Sequence, residues 1–263
     1  MAGGRLKVAG RSSAKLRLAR GEGGPSVERL RCSGAMSFRS TEWGVWMVGT
    51  EAHPIGGDRL LVQLALGAGC SAEIRSTSAT VARRGPRDSS GPSNAVTAIR
   101  MGAGSSLDWY PEPGIAASGA HHLSDTRIRM REGSRLRWQE GFVVGRHGEE
   151  PGTWRSRLRV TVGNRPVLTS ETAAGPLSFG WLNRSVLGGA RAVSNVVLIG
   201  PGCYPSASAR TSDRSAQAVA LPLGGGHGIQ ITAWGDDLGD CRDAIASLSS
   251  PRRRSGGPTT ATC

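Results

Sequence analysis

The phrase "IRMGAGSSLDW" (residues 99–109) returns nearly unchanged as "IRMREGSRLRW" (residues 128–138), and a fainter copy, "LALGAGCSAEI", occupies residues 64–74. Each copy alternates apolar and polar residues, breaks at small residues and alternates again. In the middle copy Ile99 and Met101 flank Arg100, Gly102 and Gly104 frame a sharp reversal, and Leu107 and Trp109 flank Asp108. Alternation with a period of two turns one face of a strand to a core and the other to water. Glycine-rich corners reach backbone angles that other residues resist. A strand–corner–strand unit cannot bury its own apolar face, whereas copies recurring every 20–50 residues or so bury theirs by stacking. The repeat predicts an all-β fold of stacked, β-helix-like coiled sheets. A β-sandwich with coincidentally similar hairpins is the alternative.

The remaining sequence reads the same way. Short alternation over residues 5–18 predicts an opening hairpin, and strand character continues at 27–32, 44–48 and 60–66. Residues 83–93, "RRGPRDSSGPS", are turn formers throughout and predict a loop. Further strands are expected at 95–101, 106–110, 123–130, 135–144 and 153–162, with Asn164 in a hairpin corner leading to 167–172. An apolar strand follows at 192–199, then two strands around "PLGGGHG". One segment has a helical period: Asp237 caps it, Leu238, Cys241, Ile245 and Leu248 share a face, and Pro251 stops it. Residues 1–250 are expected to form one domain, and 251–263 a disordered tail.

Composition narrows the function. A chain of 263 residues can bury a real core. No run of 18 apolar residues offers a membrane span. The basic N-terminal stretch lacks the apolar core of a secretory signal, so a cytoplasmic protein is the expectation. The formal charge of +13 raises the question of nucleic acid. Yet all the basic residues but Lys7 and Lys15 are arginines, scattered over the polar positions of strands, as in "RLRVTV". No aromatic platform or recognition-helix pattern accompanies them. The charge favours acidic protein partners over specific nucleic-acid binding. Cys32, Cys70, Cys203, Cys241 and Cys263 are dispersed, which suits neither a disulfide framework nor a structural zinc site.

Catalytic signatures are missing. The stretches "GPGCYPSASAR" and "LGGGHG" lack the Lys-Ser/Thr of a nucleotide-binding loop, and no GxSxG elbow is present. His121 and His122 form a candidate ligand pair for a borderline ion such as nickel, but neighbours on a strand face opposite ways, so at most one reaches a common centre. His53, His147 and His227 stand alone and read as solvent-facing or turn residues. In "EAHPIGGDRL", Pro54, Gly56 and Gly57 make a tight bend, and Asp58 follows where its carboxylate either turns inward or caps the turn.

In order along the chain, "HPIGGDRLLVQLALGAG", "TSAT", "GAGSSLDWYPEPGI", "RLRWQEGFVVGR" and "WRSRLRVTVGNRPVL" resemble the urease accessory proteins of the UreD (also UreH) family. The resemblance spans roughly residues 10 to 200, with weaker echoes beyond. It implies a coiled all-β fold and a non-enzymatic role. That role is a scaffold joining a helical accessory protein, UreF, and a GTPase, UreG, to urease apoprotein. Nickel would be transient cargo, passed through an internal polar passage, with no tightly bound cofactor. By motif Asp58 and Glu140 become candidate relay carboxylates, with His53, His121 and His122 as weaker candidates. Gly56, Gly57, Thr80 and Arg84 match the family's turn motifs. The sequence departs from the family at Val81, Ala82 and Arg83, and at Ser118, which replaces an aspartate. One acidic group fewer favours weak, transient contact with metal.

Two other function classes compete with this reading. A β-helix carbohydrate-active enzyme would need an exposed carboxylate cluster and secretion, and a basic nucleic-acid adhesion protein would show binding that falls steeply with salt. The doubly apolar "AVSNVVLIG" also predicts aggregation of the isolated chain, relieved by the helical partner.

Overall fold

A computed structural model describes residues 10–42, 44–86, 91–201, 208–212 and 215–249. The chain opens with strands β1 (Arg11–Arg20), β2 (Pro25–Ser33), β3 (Met36–Thr41) and β4 (Gly44–Gly49). A first coil runs through β5 (Arg59–Leu66), β6 (Ser71–Ser76) and β7 (Thr80–Ala82). A second follows β8 (Ser93–Met101), β9 (Ser106–Tyr110) and β10 (Gly114–Ala116), and a third β11 (His121–Met130) and β12 (Arg135–Val144). The hairpin of β13 (Thr153–Val162) and β14 (Arg165–Ala174) precedes β15 (Ala192–Ile199) and β16 (Ala209–Ser212). Strands β17 (Ala216–Pro222) and β18 (Gly228–Gly235) and helix α1 (Leu238–Ser249) complete the described chain.

Each coil gives one strand to each of two facing sheets. A 7-stranded sheet has the order β14-β13-β11-β8-β5-β1-β2. An 11-stranded sheet contains β16-β17-β18-β15-β12-β9-β6-β4-β3, with β10 and β7 beside β12. The recurring phrase is one rung of this stack. Ile99 lies opposite Ile128, and Met101 opposite Met130; across the corner Leu107 faces Leu136 and Trp109 faces Trp138. Leu64 and Ile74 hold the equivalent places in the fainter copy. The corners stack too: the Gly102 N–H donates to the Leu66 carbonyl, and the Arg131 N–H to that of Met101. The indoles of Trp109 and Trp138 lie parallel, 5.0 Å apart. Burying each such large apolar side chain contributes about 1.5–3 kcal/mol, so repetition of the phrase is repetition of the core.

Both edges of the 7-stranded sheet depart from the parallel pattern. Strands β2 and β14 pair antiparallel with their neighbours, and each pairing contains a register shift, at Arg17/Leu18 and at Val160/Thr161. The opening segment differs from expectation: its described part is one continuous strand, β1, paired to β2 on one side and β5 on the other. Its alternation persists to Arg20 because one face packs on the core throughout. Strand β3, which sequence reading passed over, hides Phe38.

Strand β15 is apolar on both faces, as expected. Val197 and Ile199 enter the main core, while Ala192 and Val196 meet Cys241 and Ile245 of α1 on the other face. Both faces are covered. Large apolar side chains are exposed instead in the loop after β14, at Leu177, Phe179, Leu182 and Val186. Helix α1 begins as expected, with the Asp237 carboxylate accepting from the Gly239 N–H at 2.6 Å. Cys70 and Cys241 are buried and Cys32 is exposed; Cys203, Cys263 and the expected tail lie outside the described residues. Among the described residues no helix is long and apolar enough to cross a membrane.

Candidate functional site

The inward positions of the 7-stranded sheet change character along each strand. In β8 the order is Ser93, Ala95 and Thr97 before Ile99 and Met101; in β11 it is His122, Ser124 and Thr126 before Ile128 and Met130. In β13 Trp154 and Ser156 precede Leu158 and Val160. Because the strands are parallel and in register, these polar positions coincide: His122 beside Ser93 and Trp154, Ser124 beside Ala95 and Ser156. The facing strand β12 contributes Trp138, Glu140 and Phe142 on its inward face. The sheets cannot close over small polar side chains. A cavity of about 540 Å³ remains, reaching from exposed Glu51, Ala52 and Ser78 to the interior.

Glu140 stands on the cavity wall, and the Ser156 hydroxyl donates to its Oε1 across the two sheets at 2.9 Å. Burial pushes its carboxyl above the usual range, against smaller opposing influences from Ser156 and from the Trp138 indole N–H. That indole nitrogen is buried and has no partner at hydrogen-bond distance among the described residues. Beside Glu140 in register is Asn195, buried, whose Oδ1 accepts from Thr232 at 2.7 Å.

His122 is fully enclosed, its Nδ1 2.8 Å from the Ser93 Oγ and its ring 4.2 Å from that of Trp154. Burial, helped by His53 and His121, holds its pKa down to about 3, so the ring is neutral at physiological pH. A neutral imidazole keeps one unprotonated nitrogen, the form that binds metals. The Ser93 hydroxyl also lies 3.4 Å from the His121 carbonyl, an acceptor for its proton. When it donates there, its oxygen accepts from His122 Nδ1–H and leaves Nε2 with the lone pair.

His53 is not a solvent-facing turn residue. Its side chain is only 9% exposed and lines the cavity, with Nε2 3.7 Å from Asp58 Oδ2. The loop is folded inward by the bend that follows it, where Gly57 adopts φ 88°, a left-handed angle that favours glycine. Asp58 itself is not on the cavity wall. Its Oδ1 accepts from the Gly10 N–H at 2.7 Å and its Oδ2 from the Ile55 N–H at 2.9 Å. The carboxylate ties the turn to the start of β1 and sits behind His53. His121 points outward, as strand alternation requires, and is half-buried.

The turn motifs gather at the same end. Thr80 lines the cavity, and its N–H donates to the Pro113 carbonyl where β7 meets β10. The Gly56 N–H donates to the Arg83 carbonyl, and Arg84 packs over Gly119. Gly114 permits the closest approach: a Cβ there would lie 2.3 Å from the Trp154 ring. Sequence reading brought Glu140, His53 and His122 forward but missed Ser93, Ser124, Thr126, Trp154 and Ser156. Their signal was present, as polar residues at the inward positions of otherwise apolar strands.

Comparison with known proteins identifies the family. The profile of the family described as "UreD urease accessory protein" matches residues 10–260. The urease accessory protein UreD of Streptomyces avermitilis is 35% identical over 229 residues, covering 87% of each chain. That of Streptomyces coelicolor is 35% identical over 244 residues, 91% of this chain and 92% of its own. A further relative, the UreD protein of Frankia alni, is 34% identical over 229 residues, 79% of this chain and 73% of its own. The chain belongs to the UreD family of urease accessory proteins.

Proposed function

We propose that this chain acts in urease maturation as a non-enzymatic scaffold that joins UreF and UreG to urease apoprotein and lets nickel cross its interior. The observation that carries the reading is Glu140, a carboxylate on the wall of a polar cavity inside a member of this family. Its Oε1 accepts from the Ser156 hydroxyl while the carboxyl group faces the cavity. With the neutral imidazole of His122 and the ring of His53 on the same wall, a carboxylate and imidazole nitrogens are the available donors, a set suited to a borderline dication. Weak contact with each in turn fits cargo that must leave again. Asp58, with both oxygens engaged by backbone donors, holds the His53 loop in place; the relay belongs to Glu140.

The exposed Leu177, Phe179, Leu182 and Val186 support the scaffold half of the proposal, because an apolar patch on a soluble protein marks a contact surface. Co-expression with UreF is expected to keep the chain soluble, and a monodisperse chain alone would count against it.

The test is Glu140→Ala in the co-expressed maturation complex, read as nickel per urease active site at equal recovered complex. A several-fold fall is expected. An unchanged ratio removes the relay role. Asp58→Ala is expected to lower the yield of complex, with nickel per recovered complex preserved.

A further inference from the structure

The outer face of the 7-stranded sheet is left uncovered by every described element, whereas the outer face of the other sheet receives α1. Strand register lays out what this open face carries. One rung reads Lys15, Gln63, Ala98, Arg127, Arg159; the next reads Arg17, Ala65, Arg100, Arg129, Thr161. Toward the other end lie Arg11, Arg59, Asn94, Leu123, Arg155 and, between, Ser13, Leu61, Val96, Asp125, Arg157. The arrangement is a flat surface with Leu61, Val96 and Leu123 near its middle and cations around them.

The few carboxylates on this face are already committed. Asp125 holds Arg127 and Arg159, Glu171 holds Arg157, and Glu28 holds Arg17. Among the described residues no carboxylate lies within 4.0 Å of Arg11, Arg59, Arg100 or Arg129. At one corner Arg11 and Arg59, register partners, border a depression of about 480 Å³ with Leu61 and Val96 in its lining.

We propose that this face docks an acidic protein surface whose carboxylates ring an apolar patch, with an anchoring side chain seated between Arg11 and Arg59. An apolar centre inside a charged rim is the anatomy of a protein–protein contact. The rim charges set partner choice and association rate, and a concave anchor point concentrates binding energy. Nucleic acid fits less well: phosphates would have to lie across Leu61, Val96 and Leu123, and no outward residue of these strands is Trp, Tyr or Phe.

The proposal uses the maturation reading only to choose the proteins tested. The intact chain, carried on a solubility fusion, and an Arg59→Glu/Arg100→Glu variant are titrated with urease apoprotein, UreF, UreG and a duplex DNA at several salt concentrations. For one of the three proteins, affinity is expected to fall at least tenfold in the variant, and wild-type affinity to weaken with salt. Val96→Ser should weaken the same complex even at high salt, where ionic contributions are screened. A variant that binds all three proteins as the wild type does, wild-type binding without salt dependence, or a loss confined to the DNA overturns the proposal. Nickel transfer by the cavity variants fails or succeeds separately, so failure of the maturation reading is distinguishable from failure of this surface.

Discussion

Toward one end of the strands the inward rows read Leu16, Leu64, Ile99, Ile128, Val160; two rows away they read Ser12, Leu60, Ala95, Ser124, Ser156. The strands and hydrogen-bond ladders are the same, and only the inward side chains differ. Where they are long and aliphatic the two sheets close on each other, with Ile99, Leu107 and Ile128 at most 1% exposed. Where they are short and polar the sheets stand apart around a cavity. The backbone thus provides a frame indifferent to its filling. Whether a stretch becomes core or cavity wall is decided by alternate residues of a few strands.

If that is right, the two ends must respond differently to substitution. Ile128→Ala in the apolar end should cost about 2–5 kcal/mol, while Ser124→Ala, one end over on the same strand, should cost less than about 1 kcal/mol. Denaturant unfolding of the co-purified complex reads both, and equal losses would erase the distinction. Gly114→Ala forces a methyl group against Trp154 at the cavity wall and should cost about 1–3 kcal/mol by overpacking. Its melting temperature and its nickel transfer should fall together. Asp58→Ala leaves two partly buried N–H donors without their acceptor and should cost about 1–2 kcal/mol; Asp58→Asn, which keeps one oxygen, should lose less.

Further tests sharpen the polar end through pH. Burial raises the Glu140 pKa, so the folded state favours its protonated form, and the stability this group contributes is lost as pH rises through its raised value. Glu140→Gln should therefore melt slightly higher than wild type at neutral pH and converge with it in acid. His122 has the opposite sign. Its folded pKa, about 3, lies below the ordinary 6.5, so its stabilisation is full above 6.5 and disappears as pH falls toward 3. His122→Gln should flatten that acid limb in a series of melts. A wild-type acid limb retained in the variant would mean that His122 is not the group being forced to take a proton.

The sequence made the stack readable because the repeated phrase carries its own geometry: Ile99, Met101, Leu107 and Trp109 recur at positions that meet in register. Glu140 and the histidines were visible as chemistry. Their assembly was not, because β12 and β13 bring Glu140 to Ser156 across two sheets, a contact that no local pattern encodes. His53 misled for a related reason. An isolated histidine in a turn looks exposed until Asp58 and Gly57 fold its loop over the opening. Strand β3 was missed because Ser37, Arg39, Ser40 and Thr41 dilute a single buried phenylalanine.

Coils built from a repeating phrase could in principle accept another coil at either end, and a second molecule could supply it. The two edge strands answer that hazard. An incoming parallel strand would need an edge running in the stack's own direction and in its register. It meets instead β2 and β14, each reversed and each behind a pairing with a register shift, with Pro166 lacking an N–H on one edge and Glu28, Arg29 and Arg31 charging the other. The length of the stack is therefore set at its boundaries. Removing the reversal at either end would be expected to turn a closed particle into the seed of a fibre.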